Sequence, residues 1–141
     1  MRVAIVVAPK SSDSSKLDEI AKGFSDGFSK LGHTVDVISA LRDSDKRLSI
    51  YDYIIVLSEP LSAFSGKTPD CIRSYLAGGA GAISGKRCSV FLHGGIRKNK
   101  ALQFLMRTIE GEGIILKSGD LVKSRDEAKA IALHLNIERN Y

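Results

Sequence analysis

Tryptophan is absent from this chain of 141 residues, which contains three prolines and two cysteines, and aromatic residues make up 6% of it. No apolar run approaches the roughly 18 residues that cross a bilayer, so no membrane-spanning helix is predicted. Cys71 and Cys88 have neither metal-type spacing nor a neighbouring cluster of ligands. This pattern argues against a metal site and favours two free thiols in a reducing compartment.

Charge and composition narrow the class of protein further. The net charge of +5 is modest, and no dense basic run with interleaved aromatics points to nucleic-acid binding. The length and the apolar fraction fit one globular domain, which we predict to span residues 1–141. Because a strand pattern follows Met1 and Arg2 directly, no signal peptide is predicted, and we expect a cytoplasmic protein.

Strand and helix patterns alternate along the chain. Arg2–Ala8 is apolar on both faces, as a strand inside a parallel sheet should be. Residues 16–31 carry apolar side chains at helical spacing, and Gly32 follows as a left-handed stop. Further strands are predicted at 33–39, 51–58, 88–92 and 113–116, and further helices begin at Thr68, at about Asn99 and after Ser124.

Local signals predict how three of these helices begin. Thr68, which precedes a proline and an aspartate, has the position of a helix cap. Ser15 followed by Asp18 has the spacing of an acidic variant of the capping box, while Ser124 and Glu127 form the standard box.

Glycines and polar runs predict where the regular elements stop. Gly78, Gly79 and Gly81 are expected to break the helix that begins at Thr68. Gly119 with Asp120 is expected to form a turn after the short fifth strand. Residues 40–50 are polar, with at most a turn or two of helix expected there.

These elements predict an α/β fold: a three-layer sandwich with helices on both faces of a five-stranded parallel sheet. Strands of this number and length favour the order 2-1-3-4-5. In such sheets, ligands bind outside the carboxyl ends of the strands. The loops at residues 9–15, 59–67 and 93–98 are therefore the candidate site.

Two stretches of the chain carry motifs of a known family. One is Ser58-Glu-Pro-Leu-Ser-Ala-Phe-Ser-Gly-Lys-Thr-Pro69, and the other is Ser84-Gly-Lys-Arg-Cys-Ser-Val-Phe-Leu-His-Gly-Gly95. Over nearly its whole length the chain resembles the flavodoxin-like superfamily, especially short flavodoxin-domain proteins. The resemblance implies a flavodoxin-like flavoprotein fold, FMN as the cofactor, and electron transport to a redox partner protein or a small acceptor.

The first loop departs from the family's phosphate motif, Thr-Gly-Asn-Thr. Ser11 and Ser14 keep the hydroxyls of the two threonines, but Ser12 replaces the glycine of the motif and Asp13 replaces the asparagine. Serine restricts the backbone where glycine would wrap the phosphate. An ionised carboxylate at roughly 5 Å repels a phosphate charge by about 3 kcal/mol at an effective dielectric near 20, and two neighbouring lysines offset part of this.

The resemblance also implies binding roles for residues in all three loops. The phosphate is assigned to Ser11, Ser12, Ser14 and Ser15; one face of the flavin ring to Leu61, Ser62, Ala63 and Phe64; and the other side to His93, Gly94 and Gly95. Each group also has an ordinary structural explanation. Serines cap and turn, an aromatic residue anchors a loop, and glycines let a strand end turn.

Three functions stay open at this point. The first is an FMN-binding electron carrier or small flavin reductase, an oxidoreductase whose redox chemistry belongs to the cofactor. The second is a flavodoxin-like domain that has lost FMN and acts as a protein-interaction module, which Ser12, Asp13 and the few aromatics favour. The third is an NAD(P)H-quinone reductase, which the short loop at 117–123 disfavours.

No constellation in the sequence predicts a catalytic residue or a metal ligand. There is no Gly-x-Ser-x-Gly elbow, and His33 and His134 are expected at the surface. Arg97, Lys98 and Lys100 follow the third loop, where cations oppose a helix dipole. They predict a docking patch for an anionic partner or a nicotinamide phosphate.

Overall fold

The structure is a computed structural model that describes residues 1–13 and 15–137. The strands of its sheet are β1 (Arg2–Ala8), β2 (Thr34–Ser39), β3 (Tyr53–Ser58), β4 (Arg87–Leu92) and β5 (Ile115–Leu121). The helices are α1 (Ser15–Lys30), α2 (Cys71–Ser74), α3 (Lys98–Gly111) and α4 (Arg125–His134), and a π-helical turn (Tyr75–Gly79) continues α2. The order β2-β1-β3-β4-β5, with parallel neighbours, confirms the predicted topology.

Helices cover both faces of the sheet, so that each face has its own core. The continuous apolar sequence of β1 explains this, because alternate side chains of a strand point to opposite faces. Ala4 and Val6 enter the core beneath α2 and α3, while Ile5 enters the core beneath α1 and α4. The second core also contains Phe24 and Phe28 of α1, which are fully buried.

The two ends of α1 differ in how well they were predicted. Gly32 has a φ of +90°, and the N–H of His33 donates to the Phe28 carbonyl at 3.2 Å, which confirms the left-handed stop. Ser15 is the first residue of the helix, so the predicted cap at Ser15 is wrong. The residue before it, residue 14, lies outside the described residues.

The start of α2 also corrects a prediction. Asp70, not Thr68, precedes the first helical residue, and its side chain makes no capping hydrogen bond. Thr68 is buried, and its Oγ1 has no hydrogen-bond partner within the described ranges. Burial of the Thr68–Pro69 segment displaces the helix start by two residues, and the predicted cap at Thr68 is wrong.

The glycine run ends this helix, as predicted for Gly78, Gly79 and Gly81. The π-helical turn that continues α2 includes Gly78 and ends at Gly79, and Gly81 follows with a φ of +83°. A Cβ on Gly79 would collide with the Ser44 carbonyl oxygen. Gly79 therefore lets the loop after β2 approach the helix.

β5 runs through the position at which a turn was predicted. Gly119 and Asp120 are strand residues, paired with Val90 and Phe91 of β4. A Cβ on Gly119 would lie 3.0 Å from both Met106 Sδ and Val90 Cγ2, so the glycine makes room for α3. A bulge at Lys117 shifts the register between β4 and β5.

The remaining predictions on boundaries need small changes. β3 begins at Tyr53, two residues after the predicted start. Ser124 accepts a hydrogen bond from the N–H of Glu127 at 3.2 Å, which confirms the cap of α4. No helix among residues 1–13 and 15–137 is long and apolar enough to cross a membrane.

Candidate functional site

The carboxyl ends of β1, β3 and β4 lie side by side and start three neighbouring loops. The Ser58 hydroxyl donates to the Ala8 carbonyl at 2.8 Å, which ties the end of β3 to the end of β1. The N–H of His93 donates to the Ser58 carbonyl at 3.0 Å, which ties the end of β4 to β3. The sheet therefore brings the three loops predicted from the sequence to one edge.

The first loop, residues 9–15, presents its polar side chains to solvent. Ser11, Ser12 and Asp13 are exposed, as is Ser15 at the start of α1, while Ser14 lies outside the described residues. Within the described part of the chain, the Ser11 and Ser12 hydroxyls make no hydrogen bond. The phosphate role of Ser11, Ser12, Ser14 and Ser15 stays a prediction.

The Glu59 carboxylate is hydrogen-bonded to a backbone N–H of this loop. Its Oε2 accepts a hydrogen bond from the N–H of Lys10 at 2.9 Å. A carboxylate at this N–H adds negative charge where the cofactor phosphate was predicted. No motif in the sequence singles out Glu59, although its position directly after β3 places it at this edge.

Arg42 is a second residue that sequence reasoning missed. A small depression of about 10 Å³ is lined by Arg42 and Ser39, from the turn after β2 and the end of β2, together with Ser11 and Ser12 of the first loop and Asp18 of α1. The turn is fixed because the Ser39 N–H donates to Asp43 and the Arg42 N–H donates to the Ser39 hydroxyl. Arg42 therefore supplies a guanidinium beside the serines.

The second loop, residues 59–67, exposes two large apolar side chains. The N–H of Leu61 donates to the Lys67 carbonyl at 3.0 Å and closes the loop. Leu61 is 48% exposed and Phe64 is 72% exposed, and Ser62 and Ala63 lie at the surface between them. Phe64 is thus no buried loop anchor, and its ring is available to stack on a flat ligand.

Both glycines of the third loop, residues 93–98, have the left-handed backbone, with φ of +86° at Gly94 and +90° at Gly95. A Cβ on Gly95 would lie 2.6 Å from Pro60 Cγ. The N–H of Ile96 donates to the Ala63 carbonyl at 2.8 Å. The third loop therefore packs directly on the second.

The side chain of His93 is engaged away from this contact. Its Nδ1 lies 2.9 Å from the carbonyl oxygen of Val122, in the connection between β5 and α4. A flavin beside this loop would therefore contact main-chain atoms. This is the remaining form of the prediction made for His93, Gly94 and Gly95. The imidazole instead fixes the loop to the neighbouring connection.

The two cysteines do not add reactive groups to the site. Both are free thiols. Burial raises the pKa of Cys71, whose Sγ lies 3.6 Å from the Pro9 carbonyl oxygen beneath the first loop. Burial also raises the pKa of Cys88, so neither group is a thiolate at neutral pH.

A larger cavity, of about 420 Å³, lies apart from the three loops. It is lined by Thr68, Pro69, Asp70, Arg73, Phe104, Arg107, Thr108, Gly111 and Glu112. The described residues contain no group of three or more histidine, cysteine or acidic side chains that could hold a metal ion. The carboxyl edge of the sheet is thus the site with the clearest ligand chemistry.

The residues at this edge fit the ring of FMN. They also fit its phosphate, but nearby carboxylates would repel the phosphate charge. Phe64 supplies an exposed aromatic face, and the serine hydroxyls with Arg42 supply phosphate donors. Against these stand three carboxylates: Asp13 on the loop, Asp18 in the lining of the same depression, and Glu59 at the Lys10 N–H. A bound phosphate would have to displace or tolerate all three.

The fold is shared with solved flavodoxins. Flavodoxin 1 from Bacillus cereus is 17% identical, with a TM-score of 0.72 over 100% of this chain and 99% of its own. A Streptococcus pneumoniae flavodoxin is 21% identical, with a TM-score of 0.70 over 98% of this chain and 99% of its own. A flavodiiron core from Synechocystis is 18% identical, with a TM-score of 0.65 over 100% of this chain and 37% of its own.

No family profile and no curated protein sequence matches the chain. At identities this low, the solved structures establish the flavodoxin-like fold alone. The predicted fold class is confirmed by these likenesses and by the strand order.

Proposed function

We propose that this chain binds FMN at the carboxyl edge of its sheet and carries electrons to a redox partner protein or a small acceptor. The observation that carries the proposal is the exposure of Phe64, which is 72% exposed at the edge where a flavodoxin-like sheet binds its ligand. Leaving so large an apolar ring in water costs hydrophobic free energy, and stacking on a flavin would recover part of it.

Each loop has a distinct task in this proposal. Ser11, Ser12, Ser14, Ser15 and Arg42 hold the phosphate. Leu61, Ser62, Ala63 and Phe64 cover one face of the ring, and the main chain of His93, Gly94 and Gly95 borders it on the other side. The flavin itself supplies the capacity to accept and donate electrons. The protein supplies orientation and exclusion of water on the covered face, and no protein acid or base is required.

Binding requires the second and third loops to separate. The Ile96 N–H to Ala63 carbonyl bond and the packing of Pro60 on Gly95 close the space between these loops. Breaking one solvent-accessible hydrogen bond costs about 1 kcal/mol. Together with the carboxylates at the phosphate loop, this cost lowers the expected affinity, so we propose weaker FMN binding than an unobstructed site would give.

Titration of FMN fluorescence with the purified chain tests the proposal. We expect saturable quenching by FMN, and weaker quenching by riboflavin, which has the same ring without the phosphate. Equal affinities would contradict the phosphate role of the first loop. No quenching of either compound at high protein concentration would overturn the proposal.

A specific observation favours a second candidate, a protein-interaction module without FMN. The Lys10 N–H already has a carboxylate partner, and the two ring loops are hydrogen-bonded to each other. A negative titration with both FMN and riboflavin would support this candidate. If FMN binds, consumption of NADPH by the loaded protein would distinguish a small flavin reductase from a carrier.

A further inference from the structure

The cations next to the proposed flavin site form one continuous surface with an exposed apolar centre. Ile96 is 68% exposed, and its N–H is bonded to Ala63 of the second loop. Arg97, Lys98 and Lys100 follow it directly and are exposed. A Cβ on Gly66 would lie 2.9 Å from Lys100 Cδ, so the stem of Lys100 crosses the second loop beside Lys67. We call Lys67, Ile96, Arg97, Lys98 and Lys100 the basic rim.

The basic rim lies on two segments that contain no acidic residue, 60–69 and 93–109. Within the described ranges, none of the four cations of the rim has an ion pair. By contrast, Arg125 on the opposite face of the sheet pairs with Glu19 and Asp26, at 3.4 and 3.0 Å. The rim therefore presents four positive charges to whatever approaches the flavin edge.

This arrangement has an energetic cost within the fold. Lys98 and Lys100 lie in the first turn of α3, which has no acidic residue there, and Arg97 at its cap position makes no side-chain capping bond. Cations in the first turn oppose the helix dipole and destabilise the start of the helix. Residues that oppose a local structural preference in this way, with no compensating contact inside the fold, often belong to functional surfaces.

We infer that the basic rim docks an acidic electron-transfer protein, which approaches the flavin along Ile96. The inference rests on the proposed function, because it places the rim at the edge of the bound ring. Opposite charges steer a protein partner and fix its orientation, while a small apolar centre supplies contact area. Because Phe64 is engaged by the ring, the rim offers no aromatic stack for nucleic acid. One large apolar residue is also little to insert into a membrane.

A titration followed by amide NMR tests the inference on the full chain, with and without added FMN. The probe is a plant-type ferredoxin, a strongly acidic electron-transfer protein, and basic cytochrome c is the comparison. We expect ferredoxin to shift or broaden amides at 61–67 and 96–100 at low ionic strength, with the effect lost at high salt. Cytochrome c should leave the same amides unchanged.

Charge-reversal variants distinguish the effect of the rim's own charges from the effect of the protein's net charge. Arg97→Glu with Lys98→Glu should weaken ferredoxin binding about tenfold or more. Lys30→Glu with Lys46→Glu changes the net charge equally, away from the loops, and should have little effect. Ile96→Ser, which leaves all charges in place, should weaken binding at low salt without changing its dependence on ionic strength. Equal effects of the two charge reversals would overturn the inference.

The outcomes also separate this inference from the proposed function. Ferredoxin binding at the rim without any FMN binding would refute the flavin site and keep the docking surface. FMN binding without a ferredoxin effect at 61–67 and 96–100 would refute the rim and keep the flavin site. Stronger binding of phosphatidylserine vesicles or duplex DNA than of ferredoxin at these amides would overturn the choice of a protein partner.

Discussion

At the scale of single residues, Glu59 places a carboxylate against a backbone N–H of the first loop, where a phosphate is proposed to bind. Its carboxylate accepts the Lys10 N–H at 2.9 Å. Glu59→Gln removes the charge and keeps an acceptor for the N–H, so we expect FMN to bind several-fold more tightly. The repulsion removed is at most about 3 kcal/mol at roughly 5 Å, and solvent reduces it. Fluorescence titration measures the change.

Asp52→Asn is the matched control for this variant. Asp52 also accepts a backbone N–H, that of Arg2 at 2.8 Å, but it does so at the opposite edge of the sheet. It should leave FMN affinity unchanged. If Glu59→Gln weakens FMN binding or leaves it unaltered, the first loop does not hold the phosphate beside Glu59.

Gly94 and Gly95 share a backbone conformation and differ in their surroundings. Both have φ near +90°, but a Cβ meets Pro60 at Gly95 and nothing within 4 Å at Gly94. Alanine in the left-handed region costs about 1–2 kcal/mol at either position. We expect Gly95→Ala to cost about 1–3 kcal/mol more, from the clash with Pro60. Urea unfolding of both variants gives the difference, and equal losses would contradict the packing of the two loops.

At the scale of elements, α1 and α4 approach closely because α1 carries glycines on the shared face. A Cβ on Gly27 would lie 2.5 Å from Ala132 Cβ and 2.8 Å from the Lys129 carbonyl oxygen. Gly27→Ala should therefore push the helices apart and lower the free energy of unfolding by about 1–3 kcal/mol.

Gly111→Ala provides the comparison for this helix pair. Gly111 is also helical, at the end of α3, and a Cβ there meets nothing within 4 Å. Alanine is the better helix former by up to about 1 kcal/mol, so this variant should be neutral or stabilising in urea unfolding. A loss at Gly111 as large as that at Gly27 would mean that helix contact is not the cause.

The elements show which local signals suffice for prediction. β1 and the Ser124 cap were predictable because apolar continuity and the Ser-x-x-Glu spacing act within a few residues. Gly119 was misread as a turn because the side chains that require a glycine there, Met106 and Val90, are distant in the sequence. A sequence gives the conformational freedom of a glycine, but the contact that requires it is tertiary.

The candidate site was also predictable only where local sequence or strand order decides the structure. The three loops could be predicted because strand order alone brings β1, β3 and β4 to one edge. Arg42 and Glu59 were not predicted, since each reaches the first loop from another strand end. The registers of these strands, and the turn after β2, decide those contacts, and no single-sequence motif encodes them.

At the scale of the whole molecule, two tyrosines join the segment around residues 40–52 to the rest of the fold. The Tyr51 hydroxyl donates to Asp36 at 2.8 Å, and the Tyr75 hydroxyl donates to the Lys46 carbonyl. Burial raises the pKa of each phenol to about 12. In the unfolded chain both ionise near pH 10, so the unfolded state loses these protons first. Stability should therefore fall as pH rises from about 10 to about 12.

Urea unfolding across this pH range measures the effect, and tyrosinate absorbance follows the ionisation without interference from tryptophan. Tyr75→Phe should flatten the decline, and Tyr51→Phe should flatten it independently. Each loses about 1 kcal/mol of hydrogen bonding at neutral pH, so the slope against pH is the diagnostic quantity. An unchanged slope in both variants would assign the alkaline instability to other groups.

The bulge at Lys117 affects the tendency of this protein to aggregate through the edges of its sheet. The outer strands of a sheet offer unpaired N–H and carbonyl groups that can recruit a strand from another copy. Here β5 is interrupted by the bulge and exposes Lys117 and Asp120, and β2 exposes Asp36 at the opposite margin. The irregular backbone of β5 and the charges at both margins disfavour edge-to-edge aggregation.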